Sequence, residues 1–191
     1  MTETLQQRVH ARGARPWTEV HRVVVGVSRA IGQAHLRKRG HGGICPDAIA
    51  CIPGEGARAL RVVVPSPRSG AGGALAWEAL ENVLATRPPS PASDVWTLGL
   101  LTYYLLSGRP FWRAVDARTC AVNDLVCLVT EMKSPPRASE RASEQRATVA
   151  LWPGFDAWLA RCLASDPAAR FPSAPKAVSE LARSRPRLAR T

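Results

Sequence analysis

Within nine residues, His41-Gly-Gly-Ile-Cys-Pro-Asp-Ala-Ile49, the chain places an imidazole, a thiol and a carboxylate, three side-chain types able to move protons or attack electrophiles. A thiol becomes reactive when a nearby base or cation lowers its pKa, and no His or Cys partner for Cys45 is set by the sequence, so inert packing is expected there. The five cysteines, Cys45, Cys51, Cys120, Cys127 and Cys162, form no CxxC pair. With only four histidines beside them, a structural zinc site has no ligand spacing to stand on. An odd, irregularly spaced set of thiols fits reduced cysteines in a cytosolic compartment.

The stretch follows a segment that should be one long helix. From Thr18 to Arg39, the apolar residues Val20, Val23, Val24, Val27, Ile31 and Ala34 recur at helical spacing, with Thr18 as N-cap and Gly40 as stop. A shorter helix over Thr4 to Arg12, ended by Gly13, should precede it. Beyond the loop, Ile49 to Ile52 and Leu60 to Val64 are β-prone runs separated by Pro53-Gly54-Glu55-Gly56, the pattern of a small hairpin near 49–64. Pro65 to Gly73 is too rich in Pro and Gly for regular structure. Asp94 to Ser107, DVWTLGLLTYYLLS, is apolar on all sides, with Ser93-Asp94 as N-cap candidates and Gly108 as terminator, so it should run through the middle of the core. Asp124 to Met132 is expected to form a short helix. The polar stretch Lys133 to Thr148 is expected to be a mobile loop. Two amphipathic helices follow, one carrying Phe155, Trp158, Leu159, Cys162 and Leu163, the other starting near Ser173 with Val178 and Leu181 on its inner side. A disordered basic tail over 184–191 closes the chain after a single domain over 1–183.

With 46% hydrophobic residues in 191, the chain can build a core and is not intrinsically disordered. Its 26 basic and 15 acidic residues give a net charge of +11, scattered along the sequence. Such a field favours nucleic acid or anionic membrane in general without designating either as partner. The N-terminus lacks an apolar signal core, and the longest mostly apolar run, Val95 to Leu106, is too short to cross a bilayer. A cytoplasmic protein without membrane insertion is expected.

The segment Ser93 to Trp112, SDVWTLGLLTYYLLSGRPFW, resembles the central-helix signature of serine/threonine protein kinases, with Asp94, Trp96 and Gly99 at the matching positions. Ala76-Trp77-Glu78 is similar to the Ala-Pro-Glu that ends the family's activation segment. Cys162 to Ala174, CLASDPAARFPSA, resembles the stretch whose arginine closes the lobe. The resemblance covers residues 2 to 183 and implies a mainly α fold, the kinase C-terminal lobe built around a central buried helix, with the N-terminal β lobe absent. It further implies that Glu78 pairs with Arg170, and that Asp94 accepts hydrogen bonds from backbone amides beside His41.

Laid on the family's His-Arg-Asp-Leu-Lys-Pro-x-Asn-Ile, HGGICPDAI keeps the shaping positions His41, Ile44, Pro46 and Ile49 and loses the working ones. The catalytic aspartate falls on Gly43, the lysine on Cys45 and the metal-binding asparagine on Ala48. The Asp-Phe-Gly triplet falls near Val64-Pro65-Ser66, and no carboxylate lies between Glu55 and Glu78. Asp47, the only acid in the loop, occupies a position that in the family faces away from the transferred phosphate. Small Ala50 stands where the floor of the nucleotide pocket is usually a large apolar residue. The resemblance therefore implies a pseudokinase or truncated kinase relic, with no catalytic, cofactor-binding or metal residue, acting as a protein-binding or scaffold module. ATP and magnesium are expected only for an intact family member. The competing expectations are a kinase component completed by an N-terminal lobe, and a basic binder of nucleic acid or anionic surfaces. A protein partner is favoured over a specific nucleic acid.

Overall fold

The computed structural model describes residues 3–53, 60–64, 75–84, 88–113, 122–149 and 151–186. Helix α1 (Leu5–Arg12) follows a two-residue strand β1 (Glu3–Thr4). Its start is a capping box in which Thr4 and Gln7 satisfy each other's backbone amides. Gly13 ends it, as its sequence predicts. Helix α2 (Trp17–Leu36) buries Val20, Val23, Val24, Val27 and Ile31. It begins one residue before Thr18, with Pro16 in the cap position, because proline's fixed φ and missing N–H suit a helix entry. It ends at Leu36 rather than Arg39, where Arg37 leaves helical hydrogen bonding and Lys38 takes a φ of +56°.

Strands β2 (Ala50–Pro53) and β3 (Leu60–Val63) form the expected antiparallel hairpin. Ala50 lies opposite Val63 and Cys51 opposite Val62, with β1 added on the far side of β2. The loop expected over Pro65 to Gly73 lies outside the described residues, as does the tail expected over 184–191 from residue 187 on; Ser184, expected to be disordered, is helical instead. After a 3-10 turn at Leu75–Trp77 comes the short helix α3 (Leu80–Val83).

Helix α4 (Pro91–Ser107) is the axis of the molecule, buried at every residue from Ser93 to Ser107. Its N-cap is Ser90 and not Ser93-Asp94. Pro91 fills the first helical position, where its missing N–H is no loss, and Ser93 completes a capping box with Ser90. Gly108 closes the helix at φ +71°, its N–H donating to the Tyr104 carbonyl.

Around α4 pack α2, α7 (Pro153–Cys162) and α8 (Ala174–Ser184), with α8 capped by Ser173 as expected. Helix α5 (Val122–Lys133) follows α4. The polar stretch 133–148, expected to be a loop, carries helix α6 (Ala138–Glu144) packed against α7. Ala138 and Ala142 face the core, and Arg141 is buried, bonding Glu131 at 2.6 Å and Glu144 at 2.9 Å. Among the described residues no helix is long and apolar enough to cross a membrane.

Candidate functional site

The loop between α2 and β2 holds the stretch His41 to Ile49, and one buried carboxylate organises its start. Asp94, at the first turns of α4, accepts from the His41 backbone N–H at 2.6 Å and the Gly42 N–H at 3.0 Å, as the family pattern predicts. A third partner was not part of that pattern: His35 Nε2 lies 2.8 Å from Asp94 Oδ2. The other ring nitrogen of His35, Nδ1, accepts from the Ala174 N–H at 3.2 Å, so Nε2 carries the proton and donates it to Asp94. His35 thus joins α2, α4 and the start of α8 through one imidazole. The signal for it was present in the sequence. His35 continues the buried stripe one helical turn beyond Ile31, and a polar group there requires buried partners.

The far end of the loop is tied to α1. The Leu5 N–H donates to the Ile49 carbonyl at 2.9 Å and the Gln6 N–H to the Pro46 carbonyl at 3.1 Å. A tight turn over 46–48 closes on Cys45, whose carbonyl accepts from Ala48 and Ile49. Gly40 approaches the backbone of residues 89 and 90 so closely that a Cβ would sit 2.3 Å from the Ser90 nitrogen, which seats the loop against the cap of α4.

The working positions lie together in this frame. Gly42 and Gly43 have φ of +62° and +71°, the left-handed region in which glycine carries no Cβ penalty. Cys45 and Ala48 follow on the same loop. The register that sets Ala50 opposite Val63 brings Val64 level with Ile49, beside the loop's end. Gly43, Ala48 and Val64 offer no side-chain oxygen, and Cys45 offers a thiol, so this donor set does not fit a magnesium ion, which takes hard oxygen ligands. Asp47 is exposed on the turn, and its charge adds to burial in pushing the Tyr104 phenol up to about 12. Ala50 is half-buried at the start of β2. Burial pushes the Cys51 thiol up to about 11 and Cys162 well above its ordinary value, so neither is an activated nucleophile.

The ion pair expected between Glu78 and Arg170 does not form. Arg170 is buried, but its guanidinium meets Glu81 and not Glu78, in a bidentate contact of 2.8 and 2.9 Å. Its remaining donors reach the Ala164 and Ala92 carbonyls at 2.8 and 3.1 Å, and its plane lies over Trp96, which stacks on Trp112. The sequence contains Ala-x-Glu twice in succession, Ala76-Trp77-Glu78 and Ala79-Leu80-Glu81, and the second stands in the first turn of α3, in reach of Arg170. Glu78 is half-buried, and burial, with the negative charge of Asp94, raises its carboxyl above the ordinary range. The segment before it is pinned to α4 and its following turn, through Thr97 Oγ1 to the Trp77 carbonyl at 2.8 Å and Trp112 Nε1 to the Ala76 carbonyl at 3.0 Å. Gly99 lets α4 and α7 touch: a Cβ there would lie 2.8 Å from Cys162 Cβ and 3.1 Å from Leu159.

No family model matches the chain, and no curated protein sequence does. Solved kinase structures match its fold. The kinase domain of Mycobacterium tuberculosis PknI aligns at a TM-score of 0.68 and 21% identity, covering 96% of this chain and 63% of that one. A structure of the Rad53 kinase domain and SCD2 aligns at 0.69 and 20% identity, covering 93% of this chain and 61% of that one. The fold is that of the C-terminal lobe of a protein kinase, and the chain spans less than two thirds of the kinase chains it matches.

Proposed function

We propose that this chain is a catalytically inactive kinase-like lobe that acts as a protein-binding or scaffold module. The observation that carries the reading is the loop itself. Asp94, His35 and the first turn of α1 hold it in place, while Gly43, Cys45 and Ala48 stand where a phosphotransferase needs a carboxylate, a lysine and an asparagine. Phosphoryl transfer depends on positioned charge and metal ligands, and glycine, cysteine and alanine supply neither. What remains is an ordered surface without its chemistry.

The test is phosphate transfer from labelled ATP with magnesium, to the chain itself and to a generic protein substrate, with and without a kinase N-terminal lobe supplied as a separate polypeptide. Transfer at the level of a no-protein control is expected in every arm. Transfer that requires the added lobe would instead support a kinase component completed in trans.

A further inference from the structure

The outward face of α2 presents Trp17, Thr18, His21, Arg22, Val25, Gly26 and Arg29 around a concavity of about 500 Å³. Arg22 and Arg29 are exposed, seven residues apart and therefore on one side of the helix with roughly 10 Å of axial rise between them. The arginines before them are used differently. Arg8 and Arg15 are bonded to Glu19, and Arg12 to Glu3, whereas among the described residues Arg22 and Arg29 have no ion pair and the concavity has no acidic residue in its lining. A further cation stands at its Trp17 end, where the Arg185 guanidinium lies 5.1 Å from the Trp17 ring and 5.9 Å from that of Trp152. Three arginines therefore stand at this concavity with no acidic partner among the described residues.

We infer that this groove docks an acidic, extended peptide segment of a protein partner, with Arg22 and Arg29 taking two of its carboxylates and Val25 and Gly26 leaving room for a small apolar side chain between them. Charge complementarity gives the sign of the ligand, and the aromatic geometry decides its class. Single-stranded nucleic acid binds by stacking bases on open aromatic faces. Trp17 is already engaged by Trp152 edge-on at 5.2 Å, by His21 at 5.3 Å and by Arg185, so it offers no free platform. Without a stacking platform, the arginine forks are left to take an anion, here the carboxylates of a peptide, which they match bidentately. The inference deepens the binding-module reading and rests on it, but its test reads binding alone, so failure here leaves the emptied catalytic loop as it stands.

The test uses the full chain and fluorescence anisotropy at low ionic strength with three labelled probes: an octapeptide of alternating Glu and Ala, the same peptide with Gln for Glu, and an eight-residue oligothymidylate. The Glu peptide should bind, and the Gln peptide should not. The paired substitution Arg22→Ala with Arg29→Ala should weaken the Glu peptide roughly ten-fold or more, since each lost contact is charge-assisted. Removing the same charge at two exposed arginines elsewhere, Arg39→Ala with Arg109→Ala, should change it less than about two-fold. Matching unfolding midpoints for the two variants verify that both fold. Equal losses in the two variants would overturn the inference in favour of a diffuse field. Oligothymidylate binding with the Arg22 and Arg29 dependence would overturn it in favour of nucleic acid, and so would no binding of the Glu peptide.

Discussion

Two glutamates three residues apart, Glu78 and Glu81, occupy opposite electrostatic situations. Glu81 faces a buried guanidinium whose Nε and Nη1 also donate to the Ala164 and Ala92 carbonyls, so Glu81→Gln strips a buried charge of its partner and should cost about 3–5 kcal/mol in denaturant unfolding. Glu78 is held in a half-buried site with Asp94 as a like-charged neighbour, and its carboxyl is raised. A raised folded-state pKa in an acid means that ionisation opposes folding, so the penalty is absent below the unfolded value near 4.5 and grows as pH rises through the folded one. Glu78→Gln should therefore stabilise the protein at pH 7 and lose that advantage at pH 4, as read from unfolding midpoints at the two values. A loss of stability at pH 7 would mean that Glu78 has a buried cationic partner after all.

Helix α4 and its contacts carry the next level. Gly99 is glycine because α7 leaves no room for a Cβ: the nearest obstacle is Cys162 Cβ, which cannot rotate away, so α7 must shift as a body. Gly99→Ala gains close to 1 kcal/mol of helix propensity and still should destabilise by about 1–3 kcal/mol net, measurable by thermal unfolding. The legibility of the elements follows from the strength of such signals. The stripe of α2 and the all-round apolarity of α4 are too strong to misread, and Gly13 and Gly108 end their helices where φ turns positive. Helix α6 was not legible, because its inward residues are Ala138 and Ala142, whose small side chains barely mark a periodicity, and because the residue that anchors it, Arg141, reads as surface. The cap of α4 is hard to locate in the sequence for a related reason: Ser90 and Ser93 are both good caps, and only the geometry shows them working as a pair.

For the whole molecule, the tie of Asp94 to the loop is legible in the sequence and the partner of Arg170 is not. Asp94 bonds the loop as its sequence context implies, since a motif that fixes a helix also fixes where its first-turn carboxylate lies. The partner of Arg170 was missed because two Ala-x-Glu triplets compete within six residues, and only the three-dimensional course of the chain selects Glu81. The burial of His35 is legible from the stripe of α2, but its partners are not, because they lie on two elements distant in sequence. The result is a lobe whose polar network, Glu81 with Arg170 and His35 with Asp94, holds in place the loop for which we propose that phosphoryl-transfer chemistry is absent. The most direct measurement is a thermal unfolding scan of the full chain with and without saturating magnesium and ATP. A single cooperative transition at an unchanged midpoint is predicted, because a ligand that does not bind the native state cannot shift it. A midpoint that rises and saturates with ATP concentration would contradict the central claim.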